Sequence, residues 1–448
     1  MSQLIISVSG LRGVVGDSLT PEVAARYACA FAAELPAGAV VITRDGRASG
    51  PMLADALQAA LTRAGRDVMD AGVAATPTTG VLVRQWRAAG GIQISASHNP
   101  REYNGLKLFS AAGRVIPRAA GENVLARYLD ASWKPPAGAT SGHTEHEADT
   151  LAEHATLVKR CVDVERIRRA GFRVLLDANH GAGGLLGRAL LEALGCTLAI
   201  LGETPDGSFE HTPEPTAENL AGVLAAVPRV GAQIGFCQDP DADRLAVIDE
   251  HGNYLGEEYT LALCVEHRLR QQPGPVVTNC STSRMSQDLA EKRGVPFFRS
   301  AVGEANVVDV MLAKEAVLGG EGNGGVIDPR VVLVRDSFVG MAMILDAMAE
   351  RQLPVSRLAA ELPRYEIVKT KFTVAPEEVP AALEAIEHHF SGAKVDRLDG
   401  LRLDWPKQWL LVRASNTEPI VRAVAEAASH EEAARLCREA ETAATRVG

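Results

Sequence analysis

The chain has 448 residues, of which 46% are hydrophobic, and it carries a formal net charge of −10. An acidic chain argues against a general nucleic-acid binder and against a protein of anionic membrane surfaces, because both need a basic face. A phosphorylated partner stays compatible with this charge, since a local cluster of arginines and backbone N–H groups can hold an anion inside an acidic protein.

Cysteine usage and the start of the chain predict a cytoplasmic protein. The seven cysteines are scattered and form no Cys-x-x-Cys pair, which favours reduced core thiols over a disulfide framework or a zinc site. We expect no signal peptide, because the start of the chain lacks a basic segment followed by a long apolar one. No apolar run approaches the length of a membrane span, so we expect no membrane partner.

Strand and helix signals alternate through the first unit, residues 1–150. Thr20 and Pro21 predict the start of a helix, with the threonine as N-cap and the proline at the first helical position. Such alternation predicts a largely parallel or mixed sheet covered by helices. The predicted strands of this unit are 4–8, 39–43, 67–69 and 91–94, and its second helix is predicted at about 51–64.

Three further units follow the breaker-rich stretch Pro135–Gly142, which predicts a boundary. Units 151–250 and 251–363 repeat the strand–helix alternation, whereas unit 364–448 is rich in β-formers and predicts a smaller α+β domain. The predicted fold class is therefore α/β, with three similar mixed-sheet domains and an α+β C-terminal domain. The predicted strands of these units are 173–177, 231–236, 275–278, 294–297, 365–372 and 409–412.

The stretch Ser95–Pro100 reads Ser-Ala-Ser-His-Asn-Pro and directly follows a predicted strand. Asn-Pro ends regular structure, because the residue before proline is pushed away from helix and proline has no N–H. A serine at such a strand-to-loop corner, here Ser97 with His98 beside it, can present its hydroxyl to a ligand. A polar turn without chemistry has the same composition, so other motifs must decide between the two interpretations.

Three carboxylates alternate in the loop 239–244, which reads Asp-Pro-Asp-Ala-Asp-Arg. They repel one another unless a cation lies between them, and oxygen ligands of this kind favour Mg²⁺ or Ca²⁺. A calcium EF-hand does not fit, because Arg244 stands where that loop needs glycine and the flanking residues are typical of strands. An acidic hairpin turn without a metal is the plainer alternative. The candidate metal ligands are Asp239, Asp241 and Asp243.

Two further loops carry groups suited to oxyanions and hydroxyls. Arg413 begins the segment Arg-Ala-Ser-Asn-Thr-Glu-Pro after an apolar strand, with Arg422 close by, and such a segment suits a phosphate. The glycine-dense loop 319–325 contains Glu321 and Asn323 and lets backbone approach a ligand closely. An ordinary loop is the alternative for each. Four basic residues elsewhere are, taken singly, typical of solvated surface charges: Arg12, Arg44, Arg47 and Lys107.

Taken in order, four loops resemble those of the α-D-phosphohexomutase superfamily: Ser-Ala-Ser-His-Asn-Pro, Asp-Pro-Asp-Ala-Asp-Arg, Gly-Glu-Gly-Asn-Gly-Gly and Arg-Ala-Ser-Asn-Thr-Glu-Pro. Supporting stretches are Leu11-Arg12-Gly13, Pro205-Asp206-Gly207, Pro213–Thr216 and Val302–Val307. The resemblance implies four domains around a central cleft, a sugar phosphate substrate and a Mg²⁺ cofactor. It also implies transfer of phosphate between the 6- and 1-positions of an aldohexose through a bisphosphorylated sugar.

The resemblance further implies roles for single residues. Ser97 resembles the serine that bears the phosphoryl group, and His98 is its neighbour in the catalytic loop. Lys107 matches a lysine that assists acid/base steps, and Arg12 matches an arginine near the transferring phosphate. The other matches are the metal ligands Asp239, Asp241 and Asp243 together with Ser97, the cleft residue Arg244, the sugar-selecting Glu321 and Asn323, and the phosphate-binding Arg413, Ser415, Asn416 and Thr417, which Arg422 would assist.

The sugar loop departs from the Gly-Glu-x-Ser-Gly-His form that many superfamily members share. Asn323 replaces the serine and Gly325 replaces the histidine, so we expect Gly325 to leave room where relatives place a ring. The Asn-Gly-Gly form resembles archaeal-type phosphoglucosamine mutases and related broad-specificity mutases. This resemblance favours glucosamine 6-phosphate as the substrate, with the phosphomannomutase/phosphoglucomutase branch as the alternative.

Other classes of function fit the motifs less well. A magnesium-dependent sugar phosphatase with an aspartate nucleophile would resemble Asp-x-Asp-x-Thr or Asp-x-Asp-x-Val, whereas Asp243 stands at that last position. A serine hydrolase would want Gly-x-Ser-x-Gly, and Ser97 has no such glycines. A non-catalytic sugar-phosphate sensor would not need serine, metal loop and Lys107 together. For the oligomeric state, the sequence leaves monomer and homodimer open.

Overall fold

The structure, a computed structural model, describes residues 3–7, 10–135, 140–414 and 420–445, whose strands form four sheets. The first three sheets mix parallel and antiparallel pairs, and the fourth is antiparallel throughout. The predicted fold class, three mixed-sheet α/β domains and a smaller α+β domain, is thereby confirmed. In the described ranges, no helix is long and apolar enough to cross a membrane.

The first sheet has seven strands in the order β1-β2-β6-β5-β3-β4-β7. Thr20 caps the first helix as predicted, since its hydroxyl accepts a hydrogen bond from the Val23 N–H at 3.3 Å. The last strand, Thr144–His146, follows the expected boundary stretch Pro135–Gly142 and pairs with β4, so the chain after that stretch completes the first sheet. The elements are β1 Ile5–Ser7, β2 Gly10–Val14, α1 Pro21–Ala32, β3 Val40–Arg44, α2 Gly50–Arg63, β4 Val68–Val73, α3 Thr76–Gln85, β5 Gly90–Ile94, β6 Tyr103–Ser110, α4 Arg118–Leu129 and β7 Thr144–His146.

The second sheet has five strands in the order β12-β11-β10-β8-β9. Strand β12 follows residue 250, so the division expected between 250 and 251 falls inside the last hairpin of this sheet. The elements are α5 Ala152–Lys159, α6 Val164–Ala170, β8 Arg173–Asp177, α7 Gly183–Ala193, β9 Thr197–Leu201, α8 Ala221–Arg229, β10 Ile234–Gln238, β11 Leu245–Ile248 and β12 Tyr254–Gly256.

The third sheet has four strands in the order β14-β13-β15-β16. The strand predicted at 294–297 was wrong in its placement, because Gly294 adopts a left-handed φ of +65° in the turn after α10 and the strand begins at Phe297. The elements are α9 Glu257–Gln271, β13 Val276–Asn279, α10 Met285–Lys292, β14 Phe297–Ser300, α11 Glu304–Lys314, β15 Leu318–Glu321, β16 Gly325–Ile327, α12 Ser337–Arg351 and α13 Val355–Ala360.

The fourth sheet has the order β17-β21-β20-β19-β18, and one of its faces packs on two helices. Its other face contacts the third domain, where Trp409 and Leu411 pack against Cys280. The elements are β17 Glu366–Thr373, α14 Val379–His389, β18 Lys394–Asp396, β19 Leu401–Trp405, β20 Gln408–Ala414, β21 Ile420–Ala427 and α15 His430–Thr445.

The hydrophobic core ties the first three domains together more closely than the fourth. One continuous cluster of buried side chains includes Val41 of the first domain, Val174 of the second and Leu318 of the third. The fourth domain has its own cluster around Leu410, and only a small cluster joins it to the third. The side chains of the first three domains are therefore held by one shared core, and the fourth domain packs against the third through a smaller contact.

Candidate active site

Ser97 lies at a strained corner just after β5. Its φ is +50°, in the left-handed region that a non-glycine residue adopts only at an energetic cost. Its N–H donates to Ser95 Oγ at 2.9 Å, and the residue is buried. Strain of this kind persists only where the surrounding contacts impose it, and here it fixes the position of the hydroxyl.

Arg47 supplies much of that support, although the sequence pattern suggested a solvated surface charge. The side chain is buried and forms an ion pair with Asp45, which also accepts from Ser95 Oγ at 2.7 Å. The guanidinium donates to the backbone oxygen of Ser97 at 2.9 Å and lies over the ring of Phe209, 5.0 Å from its centre. The second domain thus helps to hold the serine corner of the first.

The acidic loop between β10 and β11 meets Ser97 directly. Ser97 Oγ donates to Asp239 Oδ2 at 2.6 Å, and the carboxylates of all three aspartates are buried. One oxygen from each of Asp239, Asp241 and Asp243 lies within 4.8 Å of the others. The strand-like flanks predicted for this loop are confirmed by β10 and β11.

These residues fit a divalent cation. Buried polar atoms normally have partners, yet Asp241 Oδ1 and Asp243 Oδ1 have no hydrogen bond among the described residues. These two oxygens belong to a cluster in which every available ligand atom is an oxygen. Oxygen ligands are the ones that Mg²⁺ and Ca²⁺ prefer. Ser97 Oγ, which contacts Asp239, can bring a further oxygen to the same place.

Lys107 reaches the same carboxylates from β6, the strand paired with β5. Its Nζ donates to Asp241 Oδ2 at 2.5 Å and to Asp243 Oδ2 at 2.7 Å. Burial alone would lower the pKa of Lys107 and raise the pKa of Asp241, but their mutual attraction outweighs it, so the pKa of the lysine is raised and that of the carboxyl lowered. Thr76, a residue that the sequence analysis missed, also donates to Asp241 Oδ2 at 2.5 Å.

His98 is a weaker partner of the serine than its position in the sequence suggested. Its Nδ1 lies 3.4 Å from Ser97 Oγ, much farther than the carboxylate of Asp239. Burial, followed by the charges of Arg244 and Arg12, lowers the pKa of His98 to about 3. The imidazole is therefore neutral at neutral pH, and Asp239 is the close polar contact of the hydroxyl.

Two further predicted basic residues, Arg12 and Arg244, contact neighbours of Ser97. Arg12, on β2, donates from Nη1 to Asn99 Oδ1 at 3.2 Å. The backbone N–H of Arg244 donates to Asp239 Oδ1 at 3.1 Å, its Nε lies 3.9 Å from Asp243 Oδ1, and the residue lines the cleft. Arg12 thus contacts the loop that follows Ser97, and Arg244 contacts the carboxylate to which Ser97 Oγ donates.

The sugar loop brings Glu321 into the cleft with its carboxylate already hydrogen-bonded. Oε1 accepts from Asn279 Nδ2 at 2.7 Å and from the Gly303 N–H at 3.1 Å, and Oε2 accepts from Arg335 at 2.7 Å. By contrast, Asn323 Oδ1 is buried without a hydrogen bond to any described residue. The asparagine therefore has an acceptor free for a ligand.

The expectation that Gly325 leaves room beside this loop was wrong. A Cβ placed on Gly325 would lie 2.2 Å from Cδ of Arg335, so the stem of that arginine already fills the space. Arg335 also donates to Asp243 Oδ2 at 2.6 Å. Sequence reasoning missed this arginine, because a single Arg between a strand and a helix carries no motif of its own.

All four domains line one cleft with a volume of about 660 Å³. The predicted residues Arg12, Lys107, Arg244, Glu321, Asn323, Arg413 and Arg422 are among its lining groups. A central cleft between four domains, as the superfamily resemblance implied, is therefore present.

The fourth domain contributes a row of three cations. Lys371, Arg422 and Arg413 are direct neighbours across β17, β21 and β20, and their sheet face is the one turned away from the helices. Arg413 contacts Asp399 at 3.3 Å, and the Val302 N–H donates to the same carboxylate at 2.9 Å. Like charges placed directly opposite destabilise a sheet, so this row is suited to an anion. The predicted residues Ser415, Asn416 and Thr417 lie outside the described residues.

Comparison with protein-family models matches the chain, part by part, to one family. The models described as Phosphoglucomutase/phosphomannomutase, alpha/beta/alpha domains I, II and III, match residues 4–134, 152–252 and 256–365. The model of the C-terminal domain of the same family matches residues 367–443.

Relatives of known name cover almost the whole chain. A "Phosphoglucomutase/phosphomannomutase" of Thermococcus kodakarensis is 37% identical over 432 residues, which are 95% of this chain and 94% of that protein. A "Probable phosphoglucosamine mutase" of Methanopyrus kandleri is 33% identical over 432 residues, 96% of this chain and 95% of that protein. A solved structure of a phosphoglucomutase/phosphomannomutase family protein from Burkholderia thailandensis, 30% identical, superposes with a TM-score of 0.82 and covers 98% of both chains.

Proposed function

The chain belongs to the phosphoglucomutase/phosphomannomutase family and is a phosphohexomutase, and on that premise we propose that Ser97 carries the phosphoryl group it transfers. The observation that carries the proposal is the 2.6 Å contact between Ser97 Oγ and Asp239, inside a buried cluster of three carboxylates. A hydroxyl fixed at a strained corner beside such a cluster suits the exchange of a phosphoryl group with a bound sugar.

Two transfers make up the reaction. In the first, the bond between phosphorus and Ser97 Oγ breaks as phosphorus bonds to the 1-hydroxyl oxygen of a hexose 6-phosphate, and the proton of that hydroxyl ends on Ser97 Oγ. In the second, the bond between phosphorus and the 6-oxygen of the resulting bisphosphorylated sugar breaks as phosphorus bonds to Ser97 Oγ. The serine proton ends on the 6-oxygen, and the sugar leaves as the 1-phosphate. Lys107 Nζ lies within reach of the cluster and assists these proton transfers. Arg12 and the neutral His98 line the serine corner, where they orient the transferring group.

A divalent cation, for which magnesium is the proposed identity, would be held by Asp239, Asp241 and Asp243 and by an oxygen on Ser97. When bound, it supplies positive charge against the oxygens of the transferring phosphoryl group. The carboxylates of the loop are held in place for this role by Lys107 and Arg335.

The fourth domain is proposed to hold the phosphate that is not being transferred. Arg413 and Arg422 line the cleft, and Ser415, Asn416 and Thr417 closely follow Arg413 in the sequence. Because the bisphosphorylated sugar must present each end to Ser97 in turn, one phosphate site has to accept either end. A site on the domain that packs least tightly against the others suits that requirement.

We propose glucosamine 6-phosphate as the substrate and glucosamine 1-phosphate as the product, with hexose phosphates of the phosphomannomutase/phosphoglucomutase type as the alternative. The support is the Glu321–Asn323 loop, whose free amide oxygen and nearby carboxylate suit hydroxyl or amino groups of a sugar. Relatives with both kinds of name match the chain at similar identity. Side-by-side turnover of glucosamine, glucose and mannose 6-phosphates decides between them, and a preference for mannose or glucose would overturn the glucosamine proposal.

Ser97→Ala separates the mutase proposal from a magnesium-dependent phosphatase. Wild-type protein should show one added phosphoryl group by intact mass, isomerise its substrate and release little inorganic phosphate. Ser97→Ala should lose the added mass and the isomerisation together, while its folding is unchanged because the substitution removes one hydroxyl. A fully active Ser97→Ala enzyme, or stoichiometric phosphate release by the wild type, would contradict the proposal.

A further inference from the structure

Arg335 lies in the segment between β16 and α12 and contacts carboxylates from three separate parts of the chain. Its Nη2 donates to Asp243 Oδ2 at 2.6 Å and its Nη1 donates to Glu321 Oε2 at 2.7 Å. Its Nε lies 3.6 Å from Glu304 Oε2, and its own N–H donates to Glu304 Oε1 at 2.8 Å. The residue is buried, with 8% of its surface exposed, and it lines the cleft.

The methylene chain of Arg335 is held in place as well as its guanidinium group. Gly325 leaves just enough space for the stem, since a Cβ there would lie 2.2 Å from Cδ of Arg335. The next residue, Asp336, caps α12 by accepting from the Phe338 N–H at 2.9 Å, and its N–H donates to the Val326 oxygen at 2.8 Å. Backbone and side chain of this segment are therefore both held, so the guanidinium has little freedom to move.

One planar group thus connects the two loops that the proposed reaction uses. Asp243 Oδ2 is engaged by Arg335 and Lys107, while Oδ1 has no hydrogen bond among the described residues and stays available to a cation. The other nitrogen of the same guanidinium, Nη1, donates to Glu321 and so orients its carboxylate. The two separate donor nitrogens of a guanidinium can hold Asp243 and Glu321 at a set separation. A single ammonium, such as that of Lys107, bridges two carboxylates only where both reach the same nitrogen.

We propose that Arg335 is a positioning residue that orients a metal-binding carboxylate and the sugar-contacting carboxylate together, so that metal affinity and sugar preference both depend on it. The part of this inference that concerns sugar preference rests on the proposed function. The part that concerns metal affinity rests only on the contact between Arg335 and Asp243.

The test compares wild type with Arg335→Gln and Arg335→Lys. Manganese, followed by its electron spin resonance signal in the absence of sugar, reports the affinity of the aspartate loop. Turnover of glucosamine, glucose and mannose 6-phosphates gives kcat and KM for each sugar. Arg335→Gln should weaken manganese binding at least tenfold, as loss of a partner of a metal ligand typically does, and should change the ranking of the sugars. Arg335→Lys should restore manganese binding in part, through Asp243, and leave the ranking altered.

Arg330→Gln is the matched control, because it removes an arginine–aspartate pair from the same segment. Arg330 contacts Asp328 at 2.6 Å and is not among the lining groups of the cleft. This variant should lose stability and keep wild-type manganese affinity and sugar ranking. If Arg335→Gln matches wild type in both measurements, or if Arg330→Gln changes them as much as Arg335→Gln does, the inference is overturned.

Gly325→Ala tests the same idea while Arg335 itself is kept, so it remains usable if Arg335 variants fail to fold. The added methyl group should displace the stem of Arg335 and so weaken manganese binding and shift the sugar ranking. Wild-type manganese affinity together with the wild-type sugar ranking in Gly325→Ala would contradict the inference. Failure of the proposed function is distinguishable, because a wild type without mutase turnover leaves the manganese comparison intact.

Discussion

Lys371 offers a sharp test of the phosphate site, because its positive charge should lower the stability of the free protein but strengthen the binding of a sugar phosphate. It stands directly opposite Arg422, which stands opposite Arg413. Like charges in such positions cost up to about 1 kcal/mol, so Lys371→Gln should leave the free energy of unfolding unchanged or raise it by a few tenths of a kcal/mol. Loss of one exposed charge from a phosphate contact should cost about 1 kcal/mol, which is about a fivefold increase in KM.

The assay measures KM for the preferred sugar phosphate at low and at high ionic strength, together with the melting temperature. The gap in KM between wild type and Lys371→Gln should narrow as salt rises, because salt screens exposed charges. Lys371 lines a pocket that shares Arg413 and Arg422 with the cleft. Lys407→Gln is the control, since Lys407 is also an exposed lysine, lies at the far end of the β19–β20 hairpin and lines neither this pocket nor the cleft. Equal KM values for Lys371→Gln and wild type at low salt would refute the assignment of this row to phosphate.

Three further predictions concern the metal loop, the phosphate site and a buried acid. Asp241→Asn should weaken magnesium binding sharply, because one of three anionic ligands is neutralised; turnover of wild type that survives a chelator would contradict a catalytic metal. Arg413→Ala should raise KM by about 10- to 100-fold, the equivalent of a charge-assisted hydrogen bond, in both half-reactions, and an effect on only one would exclude a shared phosphate site. Burial raises the pKa of Glu258 from 4.5 to about 8, so between these two pH values the folded protein keeps a proton that the unfolded chain releases. The stability that the protonated Glu258 contributes is therefore fully present below about pH 4.5 and is lost as the pH rises through about 8. Glu258→Gln should flatten that part of the melting temperature profile, and parallel profiles for mutant and wild type would contradict it.

The parts of the site that could be predicted from sequence are those whose residues are close together along the chain. The serine corner and the aspartate loop each follow an apolar strand and end in turn residues, so local patterns predicted where these loops lie and which side chains they offer. Ser97 and Asp239 are 142 residues apart, and no local pattern states that they meet. The resemblance to a superfamily supplied that link, and the 2.6 Å contact agrees with it.

The residues that sequence analysis missed act through distant partners. Arg335 contacts Asp243 across 92 residues, and Thr76 contacts Asp241 across 165; neither belongs to a motif. Arg47 was interpreted as a surface charge because its burial depends on packing against another domain. The Gly325 space was misjudged for the same reason, since its occupant lies ten residues further along the chain and belongs to no part of the loop.

The most direct test of the central claim follows a labelled phosphoryl group. Wild-type protein carrying a radioactive phosphate on Ser97 is mixed with unlabelled glucosamine 6-phosphate, and the label is traced on the protein, the sugars and inorganic phosphate. The account predicts that the label passes from Ser97 to the sugar within one turnover, first as a bisphosphate, with little in inorganic phosphate. Label that stays on the protein while product forms, or that leaves only as inorganic phosphate, would contradict it.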